Sequence, residues 1–148
     1  MQAIQAIQTY ASVHIGGMSV ELSMLTIAVI LGFVQLFLAI QVITAERGTA
    51  WNMGPRDETP PLKSKLGGRL DRAFKNFMET FPFFAAVVLI AAMVGKHSAL
   101  TTGGAELYVA ARILYVPLYA LGTTGLRTLA FLAATAGIVM MIVALFTA

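Results

Sequence analysis

The sequence predicts an all-α fold, an integral membrane four-helix bundle making a single domain over residues 1–148. Three observations predict it. The chain is 58% hydrophobic and only 11% charged, with a mean hydropathy of +0.81, where a soluble domain carries about 25% charged residues. The apolar residues gather into four runs, each near the roughly 20 residues that cross a bilayer core. In lipid, an open sheet leaves backbone groups unpaired and a helix does not.

Residues 1–19 mix polar and apolar types and carry Gly16-Gly17 before Met18; they are expected to form a short interfacial or frayed segment. No Lys or Arg precedes Arg47, so the basic start of a signal peptide is not expected. Span one is Leu22 to Ala45 (22–45), without a charge. Span two is about 69–95. Its uncharged part, Thr80 to Gly95, is too short to cross alone, so the helix has to draw Glu79 and Asn76 to membrane depth. Span three is about 105–121 and is broken by Gly122-Thr-Thr-Gly125. Span four is about 126–146, uncharged after Arg127. Pro55, Pro60 and Pro61 make the first loop irregular rather than helical.

The net charge of +3 is concentrated: Arg47, Arg56, Lys63, Lys65 and Arg69, five of the ten basic residues, lie between positions 46 and 70. Beside apolar runs such a cluster sets topology rather than binding nucleic acid. Loop 46–68 is expected on the cytoplasmic side and the Lys96–Gly104 loop outside, which puts both termini outside. Lys63 and Lys65 are then topology and headgroup charges, and Trp51 an interfacial anchor. The absence of cysteine excludes disulfides, thiolate metal sites and cysteine nucleophiles. His14 and His97 are isolated and give no metal signal. Met140, Met141, Ala133, Ala134 and Gly137 are expected to be packing residues of span four.

The polar residues of spans two and three are patterned. Arg72, Asn76 and Glu79 fall at i, i+4, i+7; Tyr108, Arg112, Tyr115 and Tyr119 fall at i, i+4, i+7, i+11. Each set is one helical stripe, and such groups turn from lipid toward protein or a wet cavity. From the cytoplasmic ends, Glu79 lies about 15 Å and Arg112 about 14 Å along their helices. The two are level, and a direct Glu79–Arg112 ion pair is expected. With Arg72, Asn76, Tyr115, Tyr119 and Arg127 nearer the cytoplasm, the stripes outline a cationic, aromatic-lined pocket. Plainer roles stand beside this one: a Glu–Arg pair can simply lock two helices, and Arg127 can snorkel at a helix start.

The order Arg69-x-x-Arg72-Ala73-x-x-Asn76-x-x-Glu79-x-x-Pro82, then Arg112-x-x-Tyr115-x-x-x-Tyr119, then Arg127, resembles the MAPEG family, membrane-associated proteins in eicosanoid and glutathione metabolism. The stretch Ala50-Trp51-Asn52-x-Gly54-Pro55-Arg56-Asp57 resembles bacterial members. Together these motifs cover about residues 20–147.

The resemblance implies a homotrimer in a bacterial inner membrane, with glutathione as co-substrate at the subunit boundary and no metal. It implies that Arg72, Asn76, Glu79, Arg112, Tyr115 and Tyr119 bind glutathione. It points to Arg127 beside the thiol, with Thr128 as a hydrogen-bond donor. Arginines suit the two carboxylates of glutathione, and a nearby cation favours the thiolate. Two positions depart from the family pattern: Phe74 stands where many members carry His, and Phe131 where some carry Tyr. The function implied is a glutathione-dependent transferase or peroxidase acting on lipophilic electrophiles. The alternative is a non-catalytic membrane protein that binds a lipid or another membrane protein. A channel or transporter is disfavoured, because no pair of broken helices is present.

Overall fold

The computed structural model describes residues 17–147, and these form five helices: α1 Val20–Arg47, α2 Thr49–Met53, α3 Lys65–Met93, α4 Ala99–Leu121 and α5 Thr124–Phe146. Among them α1, α3 and α5 are long and apolar enough to cross a membrane. Helix α4 has the length but is less apolar, because Glu106, Arg112 and three tyrosines interrupt it. The expected interfacial segment 1–19 and His14 fall almost wholly outside the described residues.

The helix starts are set by polar caps. At α1 the Ser19 hydroxyl accepts from the Leu22 amide at 3.3 Å. Helix α3 begins four residues before the predicted span, at Lys65. The Glu46 carboxylate reaches across from the end of α1 and accepts from the amides of Lys63 at 2.6 Å and Ser64 at 3.1 Å, and it also takes the Ser64 hydroxyl. A carboxylate at a helix N-terminus satisfies orphan amides and opposes the dipole favourably. Helix α4 begins at Ala99 rather than near Ala105, because Ser98 and Thr101 form a capping box. Residues 99–104 are therefore helix, not loop. The first loop is also less irregular than expected: a short helix, α2, fits before Gly54 and the prolines.

Helices α4 and α5 form the closest pairing. A Cβ added at Gly104 would sit 2.6 Å from the Gly137 carbonyl oxygen, and one at Gly137 would sit 2.5 Å from that of Gly104. The two backbones touch, as small residues allow between membrane helices. Gly137, Ala134 and Met141 are buried there, in agreement with their expected packing role. The core also takes in Phe77, Phe84, Val87 and Val88 of α3 and Tyr108 of α4. Phe84 and Tyr108 stack with centroids 3.9 Å apart. This contact sets α3 against α4 at the height of the polar stripes.

At the opposite end from the loop, buried Glu21 of α1 accepts from the Thr101 hydroxyl at 2.6 Å and lies 3.3 Å from Nδ1 of His97. His97 is thus a partner of Glu21 rather than an isolated side chain.

Candidate functional site

Arg112 is the centre of the polar face between α3 and α4. It is the largest fully buried side chain among the described residues, at 1% exposure. Its Nη1 donates to Asn76 Oδ1 at 2.8 Å, and Nη2 donates to the Thr80 hydroxyl. Thr80 and the Tyr108 hydroxyl share a hydrogen bond at 3.2 Å. The guanidinium lies over three rings: Tyr115 at 5.3 Å, Phe131 at 5.5 Å and Tyr108 at 5.6 Å. Aromatic faces stabilise a cation with few counter-charges. Its Nε has no hydrogen-bond partner among the described residues.

Glu79 and Arg112 do not form the direct pair that equal depth predicts. Asn76 stands between them: its amide group donates to Glu79 Oε2 at 3.2 Å while its oxygen accepts from Arg112. The depth match holds and the contact is relayed. Asn76 is the shorter side chain on the same stripe and meets Arg112 first, so Glu79 is left exposed on the protomer surface.

From Arg112 the site continues toward the α4–α5 turn. The Tyr115 and Tyr119 rings are 5.5 Å apart, and Arg127 lies 4.6 Å from the Tyr119 ring centre. Glu79, Asn76, Arg112, Tyr115, Tyr119 and Arg127 therefore form one unbroken series of contacts. Two predicted site residues stand apart from it. Arg72 is exposed and lines an open depression with Arg47, Lys65 and Arg69. The Thr128 hydroxyl donates to the Thr124 carbonyl at 2.9 Å, so its proton is engaged within its own helix.

Phe131 packs on the Arg112 guanidinium, so the departure from a polar residue adds a cation–π contact instead of a hydroxyl. Phe74 lines a groove between α1 and α3. The structure adds three contributors that the sequence pattern does not assign to the site. Thr80 opens the apolar run of span two, yet it lies one turn beyond Asn76 on the same stripe. Tyr108 belongs to the α4 stripe and enters the site through Thr80. Arg69 counts by sequence as a topology charge, yet its Nη1 donates to the Ala120 carbonyl at 2.9 Å and covers the C-terminus of α4, where a cation is favoured. Its place one turn before Arg72 was the available signal.

Residues 24–147 match the model of the MAPEG family. The chain belongs to the MAPEG family. No curated protein matches it. Three apolar helices of spanning length, in a MAPEG chain, fit a membrane protein. The matched region takes in every residue of the α3–α4–α5 polar series and the loop that carries Trp51 and Arg56.

Proposed function

We propose that the protein is a membrane glutathione-dependent transferase or peroxidase acting on lipophilic electrophiles. The observation that carries this reading is the contact series from Glu79 to Arg127. It offers fixed donors and cations for a tripeptide with two carboxylates, ending in a cation for the thiol. The MAPEG family comprises membrane glutathione transferases and related enzymes, which supports the same reading.

In this proposal Arg72, Asn76, Glu79, Arg112, Tyr115 and Tyr119 bind and orient glutathione, which supplies the proximity term. Arg127 stabilises the thiolate that attacks the electrophile. Thr128 joins only if its hydroxyl turns away from the Thr124 carbonyl. The bilayer concentrates the lipophilic partner. Four spans, α4 included, would cross a bacterial inner membrane, with loop 46–68 cytoplasmic and both termini outside. Three copies would close around the site. Exposed Arg72, Lys75 and Glu79 on α3 support a covering neighbour, since charges on a spanning helix are not left to lipid.

The test is turnover of glutathione with 1-chloro-2,4-dinitrobenzene or an organic hydroperoxide by the purified protein. Conjugate or disulfide formation that is lost in Arg127→Ala supports the proposal. Absence of turnover, with a stoichiometric lipid copurifying, favours the second reading: a non-catalytic protein that binds lipid or another membrane protein. The engaged Thr128 hydroxyl and the phenyl ring of Phe131 are the observations on that side.

A further inference from the structure

The geometry points to a separate binding site for an anionic phospholipid in the groove between α1, α3 and the first loop. The groove encloses about 540 Å³ and has two unlike ends. Its floor is apolar. Leu36, Ile40 and Ile43 of α1 line it, spaced i, i+4, i+7 as one stripe along a spanning helix. Arg47 continues that stripe at i+11, where the helix leaves the membrane. Phe74 closes the floor from α3.

The other end is a cationic clamp on one indole. The Arg47 guanidinium lies 4.4 Å and that of Arg56 lies 5.4 Å from the Trp51 ring centre. The loop is built to hold this arrangement. Trp51 Nε1 donates to the Glu58 carbonyl at 2.7 Å, and Arg47 Nε donates to the Pro60 carbonyl at 2.8 Å. Arg56 folds back on Asn52, with Nη2 donating to its backbone oxygen at 2.7 Å and its side-chain oxygen at 2.6 Å. Arg56 has φ of 60°, the one non-glycine positive φ among the described residues. Such a backbone is strained for a residue with a side chain and persists where the surroundings enforce it. Here it brings a second cation toward Arg47, which like charges alone do not favour.

The remaining charges at the rim, Asp71 and Lys75, pair with each other at 2.8 Å. The net excess is therefore the two arginines. Both terminal nitrogens of Arg47 and Nη1 of Arg56 have no protein acceptor among the described residues, which leaves donors for an anion. The occupant that fits is an amphiphile with a phosphate at the arginines and an acyl chain along α1. A choline headgroup would bring its own cation toward the clamp, so the site should prefer an anionic headgroup such as glycerol. This site touches no member of the Arg112 series, shares only Arg47 and Leu62 with the depression that Arg72 lines, and does not depend on glutathione chemistry.

Trp51 is the only tryptophan in the chain and reports directly. Detergent-solubilised protein is titrated with phosphatidylglycerol or phosphatidylcholine, each brominated on the acyl chain, and Trp51 fluorescence is followed. Half-quenching by phosphatidylglycerol is expected at about fivefold lower mole fraction than by phosphatidylcholine. Arg56→Gln should abolish this preference, with far-ultraviolet circular dichroism confirming the helices. The double variant Lys63→Gln/Lys65→Gln should retain it. Equal quenching by both lipids would make Trp51 a plain interfacial anchor and overturn the proposal. So would equal loss of preference in the lysine variant, which indicates diffuse charge. Displacement of the lipid signal by millimolar inorganic phosphate would overturn the lipid assignment in favour of a free-phosphate site.

Discussion

Arg112 shows why residue-level contacts decide magnitudes. A direct buried ion pair with Glu79 would make Arg112→Ala cost about 3–5 kcal/mol, chiefly by stranding a buried carboxylate. Asn76 relays the contact and Glu79 stays exposed. The expected cost is therefore that of leaving Asn76 and Thr80 unsatisfied, about 1–3 kcal/mol. Chemical or thermal unfolding in detergent measures it, and a loss at the upper figure would restore the direct pair. Arg127 and Arg72 should separate by step. Arg127→Ala should lower turnover by on the order of 10²-fold, as removal of one preorganised charge-stabilising group does, and raise the bound thiol's pKa. Arg72→Ala should mainly weaken glutathione binding, because a carboxylate is held equally in ground and transition states. Steady-state kinetics with a spectroscopic thiol titration tests both. Equal binding losses with an unchanged thiol titration would reject the two roles. Of this site, the stripes were legible because helical spacing puts Asn76 and Glu79 on one face of α3, with Glu79 at the depth of Arg112 on α4. Spacing gives faces and depths but not which of two same-face side chains arrives first. Asn76 therefore meets Arg112 in place of Glu79, and Thr80 joins it from the first position of the apolar run.

At the scale of elements, apolar length located the helix bodies, and cap chemistry set their ends. The Ser98–Thr101 box extends α4 back across Gly103-Gly104, a pair that looks like a loop when read alone. Gly104 is in the helix because α5 passes against it at Gly137. Glu46 could not be read as a cap for α3, because its carboxylate comes from a residue 18 positions before Ser64. Distant caps and bare backbone contacts leave no local pattern. The glycine contact also holds Tyr108 and Arg112, which follow one and two turns along α4. Gly137→Val should therefore force α4 and α5 apart, with an overpacking cost of about 1–3 kcal/mol or more, and should lower activity through the backbone of Gly104 and Tyr108 that it meets, without altering a polar side chain of the site. Comparing its melting temperature and turnover with those of Gly125→Ala, where an added Cβ meets open space, checks this. Equal behaviour of the two variants would show that the crossing does not depend on the glycine pair.

For the whole molecule the argument rests on what a single protomer leaves uncovered. Helix α3 exposes Arg72, Lys75 and Glu79 on its cytoplasmic half, by the proposed orientation, and Phe83, Leu89 and Ile90 beyond it. Apolar residues are at ease against lipid, but three charges on a helix long enough to span are not. In the proposed trimer a neighbouring copy would cover them, and the open end of the Glu79–Arg127 series would then become a closed site between subunits. Assembly and ligand binding should accordingly be linked. In mild detergent the protein should show the mass of three chains by native mass spectrometry. Glutathione at about 100 times its dissociation constant should then stabilise that trimer by about 2.7 kcal/mol, by mass action on the folded state. The stabilisation should shrink in Arg72→Ala, which weakens binding, and persist in Arg127→Ala, whose defect lies in the thiolate. A monomer mass under these conditions would show that α3 meets something other than its own copies. A trimer indifferent to glutathione would separate the assembly from the proposed site.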